Sequence, residues 1–164
     1  MDFSEDVRLA QKGSTEAFAR LYAEVYKDMY HIARYSLRST EDASDAVSDA
    51  VLDAFCSIKK LRDPNTFRGW IMKILSVKIK QKQKEYFADT EELSDDSKIS
   101  SFSYENTELK EALERLDSES KLILSMSVLG GYSSDEIAGV CRIKAGTVRS
   151  KLSRIKEKLR LELT

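Results

Sequence analysis

The residues with the clearest chemical use lie between positions 142 and 160. Eight lysine and arginine side chains fall there against a single acid, a net charge of +7. This density suits the neutralisation of nucleic-acid phosphates. Arginine also offers a two-donor fork that fits guanine, and serine is short enough to bond to a base or a phosphate. The candidate DNA-binding residues are Lys144, Arg149, Ser150, Ser153 and Arg154, of which the last four are the candidates for reading bases.

The elements that must position these residues have the form of a helix-turn-helix. The spacing predicts a short helix over 134–141, with Ser133 and Glu136 forming a capping box, and then a turn over 142–144. The second helix has its apolar stripe at Val148, Leu152, Ile155 and Leu159. In this motif the start of the second helix enters the major groove of duplex DNA. A solvated basic helix that ends an ordinary bundle is the alternative interpretation.

A row of aspartates marks a predicted third helix, which begins after Ser39 and Thr40. They lie at spacings of three and four residues and therefore share one helix face: Asp42, Asp45, Asp49 and Asp53. One line of carboxylates on one helix cannot surround a metal ion. Docking on a basic partner surface and a solvated acidic face both remain open.

The predicted fourth helix has the opposite charge. Five lysines and no acids fall between positions 73 and 84, and Phe67 and Trp70 stand near its start, after a turn over 62–65. Aromatic rings beside lysines are typical of single-stranded nucleic-acid binding, where the rings stack on unpaired bases. The alternative is that both rings belong to the core.

The composition indicates an all-α protein of two small helical domains. One proline, six glycines and 34% charged residues among 164 fit helices better than sheets. We expect a helical domain over 1–86, a flexible acidic linker over 87–104 and a helix-turn-helix domain over 105–164. Positions 86–107 carry one lysine against six acids.

Cellular location is predicted from the same composition. Cys56 and Cys141 form no paired motif, which favours two buried thiols in a reducing compartment. The chain has no apolar run near 18 residues and no signal-like start, so we expect a soluble, cytoplasmic protein without membrane insertion.

Four segments in order carry a resemblance to a known family. They read DVRLAQKGSTEAFARLY, EDASDAVSDAVLDAF, TFRGWIMKI and GGYSSDEIAGVCRIKAGTVRSKLSRIKEKL. Over nearly its whole length the chain resembles the extracytoplasmic-function sigma factors of the sigma-70 family. The resemblance implies an alternative sigma factor that binds bacterial core RNA polymerase, at the clamp of the largest subunit and the flap region. Such a protein would act in promoter recognition and melting and would not be an enzyme. The resemblance implies no cofactor.

The resemblance also assigns roles to residues. Those implied to dock on the polymerase clamp are Asp45, Asp49, Leu52 and Phe55. Those implied to hold an unpaired base of the -10 promoter element are Asp63, Asn65, Thr66, Phe67, Trp70, Lys73, Lys80 and Gln81. The helix-turn-helix would read the -35 element as duplex, and the acidic linker would follow the RNA path of the enzyme.

Several positions depart from the usual pattern of that family. They are Ser48 for glutamine, Asp49 for glutamate, Val77 for asparagine, Gln81 for aspartate, Asp117 for proline, Arg142 for glycine and Lys144 for serine. A lysine cannot accept hydrogen bonds from the first-turn amides, so the recognition helix lacks a side-chain cap.

Other functions remain as alternatives. A polymerase-independent helix-turn-helix regulator explains the end of the chain but leaves the aspartate row and the lysine helix unused. A metal-dependent hydrolase built on the aspartates needs ligands from several helices, and the single histidine, His31, has no partner motif. An inhibitory anti-sigma protein is a further partner that the sequence neither requires nor identifies.

Overall fold

The structure, a computed structural model, describes residues 2–88 and 107–163. Within those ranges every regular element is helical, which confirms the all-α prediction. The first two positions of the predicted linker over 87–104 belong to the last turn of a helix that ends at residue 88. The remainder of the linker lies outside the described residues.

Four α-helices form the first helical unit. They are α1 (Ser4–Gln11), α2 (Thr15–Ser36), α3 (Thr40–Ser57) and α4 (Phe67–Ala88), with short 3-10 turns at Ile58–Lys60 and Pro64–Thr66. Serine caps fix two of the helix starts: Ser14 Oγ accepts from the amide of Ala17 at 3.1 Å, and Ser39 Oγ from that of Asp42 at 3.0 Å. Each cap satisfies an amide at the open end of its helix.

Four further α-helices form the second unit. They are α5 (Thr107–Glu114), α6 (Ser118–Val128), α7 (Ser134–Cys141) and α8 (Ala145–Leu163). The start of α7 has the predicted capping box, because Ser133 Oγ accepts from the amide of Glu136 at 3.1 Å and Glu136 Oε1 accepts from that of Ser133 at 2.8 Å. Helix α7 packs against α8 across the turn over 142–144, which confirms the predicted helix-turn-helix.

The two units share one continuous apolar core. Helix α2 contributes Phe18, Leu21, Val25 and Met29 to it, all less than 10% exposed. The same helix packs against α6, while α4 packs against both α3 and α7. Burial of apolar area thus links the units directly. The sequence patterns indicated two domains but did not predict this contact.

The departure at Asp117 has a structural explanation. This aspartate is the N-cap of α6, where Oδ1 accepts a hydrogen bond from the amide of Ser120 at 2.8 Å. That backbone hydrogen bond holds the pKa of Asp117 below its usual range. A proline at this position would have no side chain able to make the bond.

We expect Asp117→Ala to lower the free energy of unfolding by about 1 kcal/mol at neutral pH, the usual value of an N-cap. Asp117→Asn keeps an acceptor oxygen and serves as the matched control, with a much smaller loss. Because the folded-state pKa is lowered, the carboxylate's advantage over asparagine is present above the ordinary Asp range and is lost as the pH falls through the folded pKa. Urea titrations at pH 7 and pH 3 measure both effects, and equal stability of all three proteins at pH 7 would contradict the cap.

Candidate nucleic-acid interface

The second helix of the helix-turn-helix presents the predicted reading residues to solvent. Val148, Leu152 and Ile155 of α8 are buried against the rest of the unit. The opposite face is open, because a helix that buries one stripe exposes the others. The exposed side chains include all five candidates: Lys144, Arg149, Ser150, Ser153 and Arg154.

The turn before α8 contains a strained residue. Arg142 has a φ of 62° and a ψ of 43°, the left-handed region, which most side chains avoid and glycine enters freely. The amide of Ile143 donates to the carbonyl of Ala138 at 3.2 Å, so the sharp end of α7 requires this conformation. Arg142 therefore occupies a backbone conformation that is unfavourable in free energy for a residue with a side chain.

We expect Arg142→Gly to raise the free energy of unfolding by about 0.5–1 kcal/mol, since glycine relieves the left-handed strain. Arg142→Ala is the matched control, because it removes the same charge but keeps the strain. Thermal and urea unfolding of the three proteins measure the difference. A glycine variant no more stable than the alanine variant would contradict the assignment of strain to this position.

The turn before α4 is exposed and held by its own side chains. Asp63 Oδ1 accepts from the amide of Asn65 at 3.0 Å, and Thr66 Oγ1 donates to the carbonyl of Asp63 at 2.7 Å. The segment leading to it is tied to α1, since the side-chain amide of Gln11 donates to the carbonyl of Leu61 at 2.8 Å. Asp63, Asn65 and Thr66 thus stand on a fixed, open turn.

The two aromatic residues of α4 differ in burial. Phe67 is fully buried, with ring centroids 5.4 Å from Phe3 and 6.1 Å from Trp70. No surface of the Phe67 ring is left for stacking on a base, so this residue supports the turn from the core side. Trp70 is half-buried.

The lysine run of α4 divides into two faces. Lys78 Nζ lies 2.9 Å from a carboxylate oxygen of Asp53, and Lys82 Nζ lies 3.7 Å from one of Asp45. These lysines join α4 to α3. The remaining members recur at spacings of three and four and form one exposed stripe with their neighbours: Lys73, Val77, Lys80, Gln81 and Lys84.

That exposed stripe lines a cleft between the two units. The cleft has a volume of about 630 Å³, and its opposite wall includes Glu119, Leu122, Val140 and Arg142. Four cations therefore face this cleft against one acid, which favours a negatively charged occupant. Lys84 and Arg142 were not among the predicted site residues. Helical spacing from Lys80 identifies Lys84 as a residue of the same face. The position of Arg142 at the cleft depends on how the two units pack, so no local pattern identifies it.

The aspartate face of α3 is partly neutralised by α4. Besides the pairs to Lys78 and Lys82, Asp42 accepts a short hydrogen bond from the hydroxyl of Tyr86. Next to these pairs α3 carries an exposed apolar group, in which Leu52 is 62% and Phe55 46% exposed. Asp49 is exposed beside them. Exposed apolar side chains among acids are typical of a protein-binding surface.

Titratable and metal-binding groups give no competing site in the part of the chain that is described. Within residues 2–88 and 107–163 no three His, Cys, Asp or Glu side chains converge as metal ligands. Burial raises the pKa of the Cys141 thiol, and Cys56 is a free, exposed thiol. The expectation that both cysteines are buried is therefore wrong for Cys56, which lies on the outer side of α3.

Comparison with known proteins decides the family. Residues 21–84 match the model of sigma-70 region 2, and residues 106–159 match that of sigma-70 region 4. The RNA polymerase sigma factor SigV of Bacillus subtilis is 30% identical over 115 residues, covering 68% of this chain and 69% of SigV. The chain belongs to the sigma-70 family.

Solved structures of similar fold agree with this assignment. CnrH, in complex with the cytosolic domain of CnrY, is 22% identical with a TM-score of 0.77, covering 99% of this chain and 97% of CnrH. The sigma factor RpoE of Bartonella quintana, in complex with the anti-sigma factor NepR, is 19% identical with a TM-score of 0.75, covering 91% and 98% of the chains. At these identities the likeness concerns the fold.

As an alternative sigma factor, the protein directs transcription initiation by core RNA polymerase at promoter DNA. The resemblance to the extracytoplasmic-function group is confirmed. None of its described helices has the length and apolar character needed to cross a membrane.

Proposed function

We propose a division of the sigma factor's work among three exposed surfaces, carried by the residues that the sequence predicted. The observation that carries this proposal is the division of the α4 side chains between two faces. The exposed face, with Lys73, Lys80 and Gln81, lies on the helix that begins after the open turn at Asp63–Thr66. Paired lysines do not interrupt this stripe, because Lys78 and Lys82 face α3.

The apolar and acidic face of α3 docks on the clamp of the largest polymerase subunit. Leu52 and Phe55 supply the apolar anchors, since their exposure leaves area to bury on binding. Asp45 and Asp49 form the charged rim, which steers association with a basic surface and sets its orientation. Asp45 already forms an ion pair with Lys82, so Asp49 is the better placed of the two to contact polymerase.

The turn before α4 and the exposed stripe capture an unpaired base of the -10 element. Extruding a base costs a few kcal/mol, and a pocket for that base offsets the cost selectively. Asp63, Asn65 and Thr66 offer the polar groups for the base edge, and the half-buried Trp70 offers its exposed part for stacking. Lys73, Lys80 and Gln81 hold the backbone of the same strand, with Phe67 supporting the turn from within.

The start of α8 reads the -35 element in duplex form. Arg149 has the fork geometry for guanine, and Lys144 and Arg154 neutralise phosphates on either side. Ser150 and Ser153 are short and permit close approach of the helix to the groove floor. The affinity of these contacts alone need not be high. Polymerase holds both DNA-binding units, so binding of one unit to its promoter element raises the effective concentration of the other unit at the second element.

We infer domains over 1–86 and 105–164 joined by an acidic linker over 87–104, no catalytic activity, and a cytoplasmic location at the nucleoid through polymerase. An anti-sigma protein is a candidate inhibitory partner, because both similar solved structures are complexes and that of RpoE contains an anti-sigma factor.

A mobility-shift experiment separates this function from that of a polymerase-independent regulator. The protein is mixed with duplex promoter DNA, with and without core polymerase. We expect a stable complex only when polymerase is present, with thymines of the -10 element becoming reactive to permanganate. A tight shift by the protein alone, with no melting when polymerase is added, would favour the regulator.

A further inference from the structure

A small polar cavity lies where the end of α2, the last turns of α4 and the start of α6 meet. Its volume is about 70 Å³, more than twice the roughly 30 Å³ that one water occupies in the liquid. Sites for drug-sized ligands are several times larger, roughly 300–1,000 Å³, so this cavity has room only for a small ion or a few waters. The polar residues around it are Ser36, Arg38, Gln83, Tyr86, Ser118 and Lys121. None of them belongs to the surfaces assigned above to DNA or polymerase.

Two cations stand at the wall of this cavity. Arg38 and Lys121 are both half-buried, and within residues 2–88 and 107–163 neither forms an ion pair with a carboxylate. The guanidinium carbon of Arg38 lies 4.3 Å from the ring centroid of Tyr86, a cation–π contact that fixes its position. Burial lowers the pKa of Lys121, the carboxylate of Glu114 opposes this shift, and the positive charge of Arg38 adds to it. The two cations thus lie close enough to repel each other, and an anion between them would relieve that repulsion.

Neutral hydrogen-bonding groups complete the wall. Ser36 is 5% exposed, and its Oγ is buried without a hydrogen-bond partner among the described residues. Buried hydroxyls are nearly always hydrogen-bonded, so an unpartnered one points to a group bound beside it. One N–H of the buried Gln83 side-chain amide donates to the carbonyl of Ser36 at 3.2 Å, and the amide nitrogen carries a second N–H. Ser118 adds a hydroxyl in the first turn of α6, where helix amides carry a positive partial charge.

The occupant that fits these groups is a small anion with several oxygen atoms. No acidic side chain of the described residues lines the cavity, so its wall is unsuited to a metal cation. Two acids on neighbouring segments are already engaged, because Asp42 accepts a hydrogen bond from the hydroxyl of Tyr86 and Asp117 accepts one from the amide of Ser120. Water alone would satisfy Ser36 and leave both positive charges unbalanced. A tetrahedral oxyanion supplies negative charge together with acceptors in several directions.

We propose that this cavity is a binding site for a tetrahedral oxyanion, with inorganic phosphate as its simplest ligand. Arg38 and Lys121 hold the anion by charge, and Ser36 and Gln83 hold it by neutral hydrogen bonds. The phosphoryl end of a nucleotide has the same chemistry, with its base and sugar left outside the cavity. Because the unfolded chain has no such site, bound phosphate stabilises the folded protein by mass action. The stability of the free sigma factor therefore rises with the phosphate concentration.

Phosphorus NMR measures this binding when the full chain is titrated into inorganic phosphate, with the ionic strength held constant by chloride. We expect saturable broadening of the phosphate signal. The dissociation constant rises about tenfold in Lys121→Gln and in Arg38→Gln, since each variant loses a hydrogen bond from a charged donor. Lys59→Gln is the matched control, because it removes a positive charge from an exposed turn of the first unit, and it binds phosphate like the unmodified protein.

A parallel titration with ATP distinguishes the two sources of the anion. Binding of phosphate without ATP assigns the site to the free anion, and binding of ATP with the same dependence on Lys121 assigns it to a phosphoryl end. Either result supports the oxyanion site. Absence of saturable binding, or equal affinity of Lys121→Gln, Arg38→Gln and the control, would overturn it.

Ser36→Ala keeps the test decisive even where loss of Arg38 impairs folding. In phosphate-free buffer this variant is at least as stable as the unmodified protein, because it removes a buried hydroxyl without a partner. With saturating phosphate the order reverses, since the variant lacks one donor to the anion. Thermal unfolding measures both conditions, and the Lys59→Gln control accounts for the general stabilisation by phosphate excluded from protein surfaces. A stability difference between Ser36→Ala and the unmodified protein that is the same with and without phosphate would overturn the site.

Discussion

Replacing Leu52 and Phe55 together by alanine lowers the affinity for core RNA polymerase by about 100-fold, in line with the loss of two central interface anchors. Both side chains are exposed in the free protein, 62% and 46% respectively, so they contribute more to binding than to folding. The ring of Phe55 contacts Phe18 at 5.2 Å between centroids, and we therefore expect a small decrease in stability from that half of the double variant.

Titration of labelled protein with core polymerase measures this effect. Leu9→Ala is the matched control, because Leu9 is an exposed apolar residue on α1, away from the acidic face of α3. The control binds like the unmodified protein. If the double variant and the control bind core polymerase with equal affinity, polymerase contacts a different face. That result would also contradict the docking role of Asp49.

Arg149→Ala weakens transcription about 10- to 100-fold at promoters whose -35 element carries the matching base, and has little effect where that base is already changed. A good bidentate arginine–guanine contact gives about 1–3 kcal/mol of discrimination, which corresponds to this range. Arg149 is exposed near the start of α8, and its loss leaves the buried stripe of Val148 and Leu152 intact. The effect is therefore one of recognition.

A matrix of variants against -35 sequences measures this selectivity. Arg160→Ala is the control, since this arginine lies on the last turns of α8 and pairs with Glu157. We expect the control to reduce activity slightly and uniformly, as loss of a remote positive charge does. A uniform loss with Arg149→Ala as well would assign that arginine to phosphate binding and not to base reading.

Local features of this fold are predictable from the sequence. The bounds of α7 and its capping box follow from Ser133 and Glu136, and the buried stripe of α8 follows from helical spacing. These predictions succeed because the determining residues are at most a few turns apart. The start of α6 has a local signal of the same kind, since aspartate is a preferred N-cap residue, although Asp117 was noted only as a departure from the family's usual proline.

Features that depend on packing between helices were not predictable. The lysine run of α4 has one sign throughout, and only its orientation against α3 separates Lys78 and Lys82 from the exposed stripe. Burial of Phe67 depends in the same way on Phe3, which lies more than 60 residues earlier. The contact between Arg68 and Tyr132 joins residues of two units, so no local pattern reports it.

Run-off transcription with bacterial core polymerase measures whether this chain directs promoter opening. The reaction uses a pool of promoters, with the protein present, absent, or replaced by the Leu52→Ala/Phe55→Ala variant. We predict discrete new start sites that require the protein, and their loss with the variant. No protein-dependent start site, together with a tight shift of duplex DNA by the protein alone, would contradict the assignment of promoter melting to this chain.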